Sequence, residues 1–100
     1  MAYYLVKAKP TALDTLKSKL DKGEIREMSP YGTTMHSSLM NARRLPDGYV
    51  TWEEQCFCTP PLKQEREVLE QHFTDLTTQT VNQGEGWAKI ADLPGLWGRD

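Results

Sequence analysis

The sequence predicts an α+β sandwich, in which a four-stranded antiparallel sheet carries two helices on one face. Three observations support this: a strand-like run near the N-terminus, two helical patterns, and a hairpin turn between them. In chain order the predicted elements are β-α-β-β-α-β, the split βαβ arrangement. The expected strand order across the sheet is 4-1-3-2.

The first two elements follow from local patterns. Residues 3–8 are aromatic or branched for the most part, as strands are, and Pro10 ends the run. Leucines at positions 13, 16 and 20 recur at helical spacing, so residues 11–20 are predicted to form a helix. Residues 23–33 make a long link for a compact unit. They form either an ordered loop, which is favoured, or a second strand that begins early and is interrupted.

The hairpin turn is expected at Pro46-Asp47-Gly48. Proline presets φ, aspartate hydrogen-bonds its own backbone, and glycine takes a positive φ. In a three-residue loop of this kind, the numbers of facing residues sum to 94, so that Arg43 faces Thr51 and His36 faces Cys58. A two-residue loop would shift every pair by one.

The second half is predicted to contain a helix over residues 60–80 and a short strand from Trp87 to Ile90. The helix begins after a Thr-Pro-Pro start signal and carries an apolar stripe of Leu62, Leu69, Phe73 and Leu76. Residues 91–100 form an apolar tail that is too rich in glycine and proline to extend a regular element. The whole chain, residues 1–100, is expected to be one domain.

Composition narrows the class of protein. Hydrophobic residues make up 38% of the chain and charged residues 26%, which is typical of a globular domain. The net charge of −2, with interspersed signs, argues against nucleic-acid binding. No apolar run has the length of a membrane span, and the N-terminus lacks the basic region of a signal peptide. A cytoplasmic location is therefore expected, with both cysteines reduced.

This layout resembles that of the small ferredoxin-like domains that pair through their sheets, among them cofactor-independent enzymes and ligand-binding stress proteins. The resemblance is one of architecture and extends over the whole chain. On the predicted open face of the sheet lie four apolar residues: Met35, Leu39, Tyr49 and Phe57. A monomer rarely exposes such a patch. A second copy is the favoured cover, because two-fold dimers are the commonest oligomers; the tail and a ligand are the alternatives.

Candidate chemistry lies on the other face of the predicted hairpin. His36 and Glu54 share that face with Trp52, so His36 as general base and Glu54 as its carboxyl partner are the candidate catalytic pair. The alternative is a hydrogen-bonded histidine at the core margin. Trp52, Tyr49 and Phe57 are the candidate ligand-binding residues.

Cys56 and Cys58, with His36 opposite, supply three potential zinc ligands. Alternate residues of a regular strand lie ~6.6–6.8 Å apart, too far for two sulfurs on one zinc ion. Buried, inert thiols are therefore expected, and no metal or cofactor.

No motif specifies a chemistry, so two hypotheses are kept. The first is a non-catalytic binding or interaction domain that forms a homodimer through its open sheet face. The second is a small cofactor-independent enzyme that acts on a small molecule in a pocket containing His36 and Glu54.

Overall fold

The computed structural model describes residues 2–56 and 60–98. Its elements, in chain order, are β1 (Ala2–Pro10), α1 (Leu13–Asp21), α2 (Gly32–Met40), β2 (Arg43–Arg44), β3 (Val50–Cys56), α3 (Arg66–Leu69), β4 (Phe73–Val81) and α4 (Glu85–Lys89). The four strands form one antiparallel sheet in the order β2-β3-β1-β4. This is the predicted order 4-1-3-2, and the α+β class with a four-stranded antiparallel sheet is confirmed.

The N-terminal strand and helix form where the sequence predicts them. Val6 and Ala8 of β1 are fully buried, as alternation along a strand with one core-facing side requires. Leu16 and Leu20 of α1 are buried at helical spacing. Both elements contribute to one hydrophobic core.

The predicted second strand is wrong over most of its length. Residues 32–40 are helical, and Met35, Ser38 and Leu39 bury one helix face at spacings of three and four. Of the first strand of the predicted hairpin, only the two residues of β2 pair with β3, and there Arg43 faces Thr51, as the turn chemistry predicts. The pairs predicted for residues 36–40 therefore do not form.

The predicted second helix and last strand are also wrong. The helical part is only α3, whereas residues 73–81 form β4, which pairs with β1 from Tyr3–Val81 to Pro10–Phe73. Five of those nine residues are threonine or valine, which favour a pleated surface and resist helix formation. The predicted last strand, Trp87 to Ile90, lies mainly in α4.

The described part of the chain has four helices, where the sequence predicts two. The last of them, α4, contacts the sheet through Leu5 and Glu53, which lie within 3.3 Å of a Cβ placed on Gly86. Because strand side chains alternate, these residues lie on the face opposite Val6 and Trp52. The face predicted to be open is therefore partly covered by the chain itself.

The C-terminal segment closes the β2 edge of the sheet instead of covering a face. Gly95 forms a bridge with Arg43, and Leu96 donates its N–H to the Ala42 carbonyl at 2.9 Å. Trp97 Nε1 donates to the Leu39 carbonyl at 2.8 Å. Leu96 is buried in the core, so the predicted apolar tail is an integral part of the fold through residue 98.

None of the helices in the described part of the chain has the length and apolar character needed to cross a bilayer.

Candidate functional site

A concave cavity of about 330 Å³ opens between the start of α2 and the end of β3. We name it the Tyr31 pocket. It is lined by Pro30, Tyr31, Thr34, Gln55, Cys56, Gln64 and Glu65. These residues come from three separate segments, so only the folded chain assembles the pocket.

A close backbone approach fixes Tyr31 at the entrance to α2. Gly32 packs so tightly against the preceding turn that a Cβ there would lie 2.3 Å from the Ile25 carbonyl oxygen and 2.8 Å from that of Arg26. Only glycine fits such a position. Tyr31 is the N-terminal flanking residue of α2, so its placement follows from this contact.

Glu65 brings a carboxyl group to the pocket. Its residue exposure is only 1%, which is unusual for a charged side chain. The Cys56 thiol donates toward Glu65 Oε1 at 3.7 Å. Cys56 is itself buried, as predicted. The wall of the pocket therefore contains a thiol next to a buried carboxyl group.

A second buried carboxyl group, that of Glu54, lies two residues before Cys56 on the same face of β3. It is fully buried, and Trp52 Nε1 donates to its Oε1 at 3.0 Å. Its Oε2 has no hydrogen-bond partner among the described residues. Burial raises the pKa of Glu54 to about 8; the Trp52 hydrogen bond opposes the shift, and the charge of Glu65 adds to it. Glu54 is therefore largely protonated at neutral pH.

Tyr31 lies in a region of negative charge. Its pKa is raised by burial first, and then by the negative charges of Glu65 and Glu67. The ion pairs found within the described residues are Lys7–Asp47, Lys17–Asp21 and Arg66–Glu70. None of them brings a cation to Glu54.

His36 and Glu54, the predicted catalytic pair, are not hydrogen-bonded to each other. His36 lies on α2, because the segment predicted as a strand is a helix. Its Nδ1 is buried and has no hydrogen-bond partner among the described residues. Burial and then the nearby charge of Arg26 lower the pKa of His36, which favours a neutral imidazole at pH 7. The Glu54 carboxyl group accepts from Trp52 instead.

Trp52 and Tyr49, two of the three predicted ligand-binding residues, are separated too. Trp52 is a fully buried core residue whose ring centroid lies 5.2 Å from that of Phe73. Tyr49 precedes the other end of β3, where the Lys7 ammonium group lies 4.8 Å from its ring centroid. Phe57 lies outside the described residues. The apolar patch predicted around them is also reduced, because Met35 and Leu39 are fully buried.

Among the described residues, no group of three or more His, Cys, Asp or Glu side chains is arranged to hold a metal ion. Cys58, the other half of the predicted thiol pair, lies outside those residues.

A larger groove, of about 680 Å³, runs beside α2 and includes Ser38, Arg43 and Trp87 in its lining. The Ser38 hydroxyl already donates to the Glu53 carbonyl at 2.8 Å, and Arg43 donates to the Leu93 carbonyl at 2.7 Å. Both polar side chains therefore already hydrogen-bond to the protein's own backbone. The Tyr31 pocket is the better candidate site.

Two residues of the pocket, Tyr31 and Glu65, were not predicted as functional from the sequence. Glu65 had a detectable signal, since it stands between Leu62 and Leu69 at helical spacing, where an apolar residue is expected. A carboxylate within an apolar stripe indicates a buried charge with a specific role. Tyr31 had no comparable signal.

Comparison of the chain with protein-family models, curated proteins and solved structures finds no match. The function is therefore inferred from the chemistry of the pocket.

Proposed function

We propose that this protein is a small-molecule-binding module whose ligand occupies the Tyr31 pocket. The observation that carries the proposal is a cavity of ligand size, about 330 Å³, lined by a carboxyl-bearing side chain that is only 1% exposed. Ligand sites are typically concave and combine apolar walls with a few placed polar groups. Tyr31, Cys56 and Glu65 supply that combination.

A fragment screen by NMR, using ¹⁵N-labelled protein, tests this proposal. A ligand of the pocket is expected to shift the amides of Thr34, Gln55 and Gln64 together. Thr34→Phe fills the mouth of the pocket and is expected to weaken binding at least about tenfold. Ser37→Phe is the matched control, since Ser37 lies one turn further along α2 and lines only the neighbouring groove. Shifts confined to other surfaces, or binding that Thr34→Phe leaves unchanged, would contradict the proposal.

A second candidate function is a small cofactor-independent enzyme, and the pKa of Glu54 favours it. A carboxyl group with a pKa of about 8 can both donate and accept a proton near neutral pH. In this version Glu54 is the acid–base residue, in place of His36, the general base that the sequence predicts. Glu54→Gln would then abolish turnover of a bound compound without abolishing its binding. Loss of turnover in His36→Ala would restore the predicted pair.

We also propose that the protein self-associates, but through a different surface from the one that the sequence predicts. Met35 and Leu39 are buried, so they cannot form the interface that the sequence suggested. The outer edge of β4 is the alternative, because β4 is an edge strand of the sheet and edge strands pair readily with a second chain. We propose a cytoplasmic location, because two cysteines are too few for the disulfide framework of a small secreted domain.

A further inference from the structure

We propose that the groove of about 680 Å³ beside α2 is a second binding site, and that its ligand is a small aromatic carboxylate. We name it the Arg43 groove. The carboxylate group would bind to Arg43, and the aromatic ring would lie against Trp87. The groove shares Thr34 with the Tyr31 pocket and is otherwise lined by different described residues. Binding at the two sites can therefore be tested independently.

Both walls of the Arg43 groove are anchored to one residue of β3. On the α2 side, the Ser38 hydroxyl donates to the Glu53 backbone carbonyl at 2.8 Å. On the α4 side, the Glu53 carboxylate accepts the backbone N–H of Gly86 at 2.7 Å and that of Trp87 at 3.4 Å. The groove is therefore formed by the fold itself, and a preformed site binds its ligand at a lower cost in entropy.

The charge in the Arg43 groove favours an anion. Arg43 supplies a positive charge, and the described lining contains no aspartate or glutamate. Arg43 also belongs to none of the ion pairs formed among the described residues. The Glu53 side chain, which anchors the α4 wall, accepts backbone N–H groups at the start of α4 through both carboxylate oxygens. A carboxylate ligand would therefore supply the negative charge that Arg43 lacks within the described part of the chain.

The Arg43 side chain is positioned to hold a carboxylate group. Its Nη1 donates to the Leu93 carbonyl at 2.7 Å, which fixes the guanidinium group, and a guanidinium group has five N–H donors in all. The planar fork of donors matches the two oxygens of a carboxylate. A single cation also suits the one charge of a carboxylate better than the charge of a phosphate group, which is about two at pH 7.

The rest of the lining suits an aromatic acid. Thr33 and Ser37 are exposed on α2, and their hydroxyl groups can donate to carboxylate oxygens. Trp87 is half-buried in the α4 wall, and tryptophan offers a large flat surface to a second aromatic ring. The groove thus combines apolar surface with a few placed polar groups, as ligand sites of this volume typically do.

Three probes that share an indole ring separate charge from fit: indole-3-acetate, indole-3-acetamide and tryptamine. In NMR titrations of the unmodified protein at pH 7, indole-3-acetate is expected to shift the amides of Ser37, Asn41 and Ala91. It should bind at least about tenfold more tightly than indole-3-acetamide, and tryptamine should bind most weakly. Raising the salt concentration from about 50 mM to about 500 mM should weaken the binding of indole-3-acetate and leave that of the amide unchanged.

Arg43→Gln is expected to lower the affinity for indole-3-acetate to that for the amide. Arg44→Gln is the matched control, because the Arg44 side chain donates to the Leu96 carbonyl at 3.0 Å, much as Arg43 donates to Leu93, but does not line the groove. Equal losses of affinity in the two variants would show that a loosened C-terminal segment, and not the lost charge, weakens binding. That result would overturn the proposal.

Ser37→Phe keeps the proposal testable if Arg43→Gln fails to fold. Ser37 is exposed and lines the groove, so phenylalanine there should block it and weaken indole-3-acetate binding at least about tenfold. Gln64→Phe, at an exposed position of the Tyr31 pocket, should leave that binding unchanged. Equal affinity for the acid and the amide, shifts centred on Gln64, no shifts in the groove, or full affinity in Ser37→Phe would each overturn the carboxylate site. None of these outcomes bears on whether the Tyr31 pocket binds a ligand of its own.

Discussion

The carboxylate of Glu53 holds the first turn of α4 through Gly86. Glu53 Oε1 accepts the Gly86 backbone N–H at 2.7 Å, and Oε2 accepts the N–H of Gly84 at 2.9 Å. A Cβ on Gly86 would lie 2.9 Å from Oε1, so the contact depends on glycine. A negative charge at the positive end of a helix is favourable. One side chain of β3 thereby fixes the helix that covers the second face of the sheet.

Replacing Glu53 by glutamine is expected to destabilise the protein. The amide keeps one acceptor oxygen but turns an N–H₂ group toward a backbone N–H and removes the charge. The expected loss in free energy of unfolding is about 1.5–3 kcal/mol, the range for hydrogen bonds to charged groups. Urea denaturation followed by circular dichroism measures it.

Glu85→Gln is the control for this substitution. Glu85 is exposed and accepts a single backbone N–H, from Asn82, at 2.8 Å. Losing this hydrogen bond is expected to lower the free energy of unfolding by less than about 1 kcal/mol. Equal effects of the two substitutions would show that the buried position of Glu53 adds nothing to its role.

Gly32→Ala is expected to damage both the fold and the pocket. The new Cβ would lie 2.3 Å from the Ile25 carbonyl oxygen, and backbone cannot move aside cheaply. A loss of about 1–3 kcal/mol in unfolding free energy is expected from overpacking. Displacement of α2 would also move Tyr31, so the variant should bind pocket ligands more weakly.

Thr33→Ala is the matched control at the next position of α2. Thr33 is exposed, and its replacement is expected to change stability by no more than about 0.5 kcal/mol. Thermal unfolding of both variants, together with the amide spectrum of the pocket residues, measures the difference. A stable Gly32→Ala variant with unshifted Thr34 and Gln55 amides would contradict the tight approach at Gly32.

Local sequence patterns predicted those parts of the fold in which several local signals agree. The strand ending at Pro10 and the helix containing Leu16 each combine a periodic pattern with a clear boundary. The pairing of Arg43 with Thr51 followed from the conformations that Pro-Asp-Gly requires. The strand order 4-1-3-2 was predicted from the βαββαβ layout and agrees with the structure, although residues 73–81 form the fourth strand instead of Trp87 to Ile90.

The predicted elements were wrong where one pattern of apolar residues fits both the helical period and the strand period. Met35 and Leu39 suit a helix face, but they also alternate with polar neighbours in the manner of a strand. Of the predicted stripe, Leu62 lies in the turn that precedes α3 and Leu69 lies in α3, whereas Phe73 and Leu76 belong to β4. The actual assignment depends on pairing with β1, a long-range contact that local patterns do not contain.

The candidate site was predicted only in part, for a similar reason. The sequence predicts Glu54 as the carboxyl partner of His36, but the hydrogen bond to Glu54 comes from Trp52, two residues away. Tyr31 and Glu65 meet Cys56 only after three distant segments have folded together. Their proximity is a property of the tertiary structure.

Pairing through β4 predicts a concentration-dependent dimer. Residues 76–81 carry no charge and no proline, so this stretch of the edge lacks two of the features that usually block pairing. Light scattering coupled to size exclusion is expected to show a rise from monomer toward dimer mass with concentration. Adding Gln79→Lys and Thr80→Lys places a charge on each face of the edge and should restore the monomer. A monomer mass for the unmodified protein at high concentration would remove this proposal.

Glu54 is expected to make the stability of the protein fall as the pH rises. The pKa of its carboxyl group is raised from 4.5 to about 8 in the folded state, whereas the unfolded chain keeps the ordinary value. Between these two values the folded protein holds a proton that the unfolded chain has lost. The stabilisation from this group is therefore complete below pH 4.5 and is lost progressively up to about pH 8. The slope is at most about 1.4 kcal/mol per pH unit.

Glu54→Gln tests this effect, because the amide resembles the protonated acid, can still accept from Trp52 Nε1, and does not titrate. Other groups give both proteins the same background pH dependence, so the difference between their unfolding free energies isolates Glu54. That difference is expected to shift in favour of Glu54→Gln from pH 5 to pH 8, making the variant relatively more stable at the higher pH. Glu24→Gln, at an exposed position, should give a difference that is flat with pH. Parallel stability curves for Glu54→Gln and the unmodified protein would mean that Glu54 ionises normally, and would remove the basis for its acid–base role.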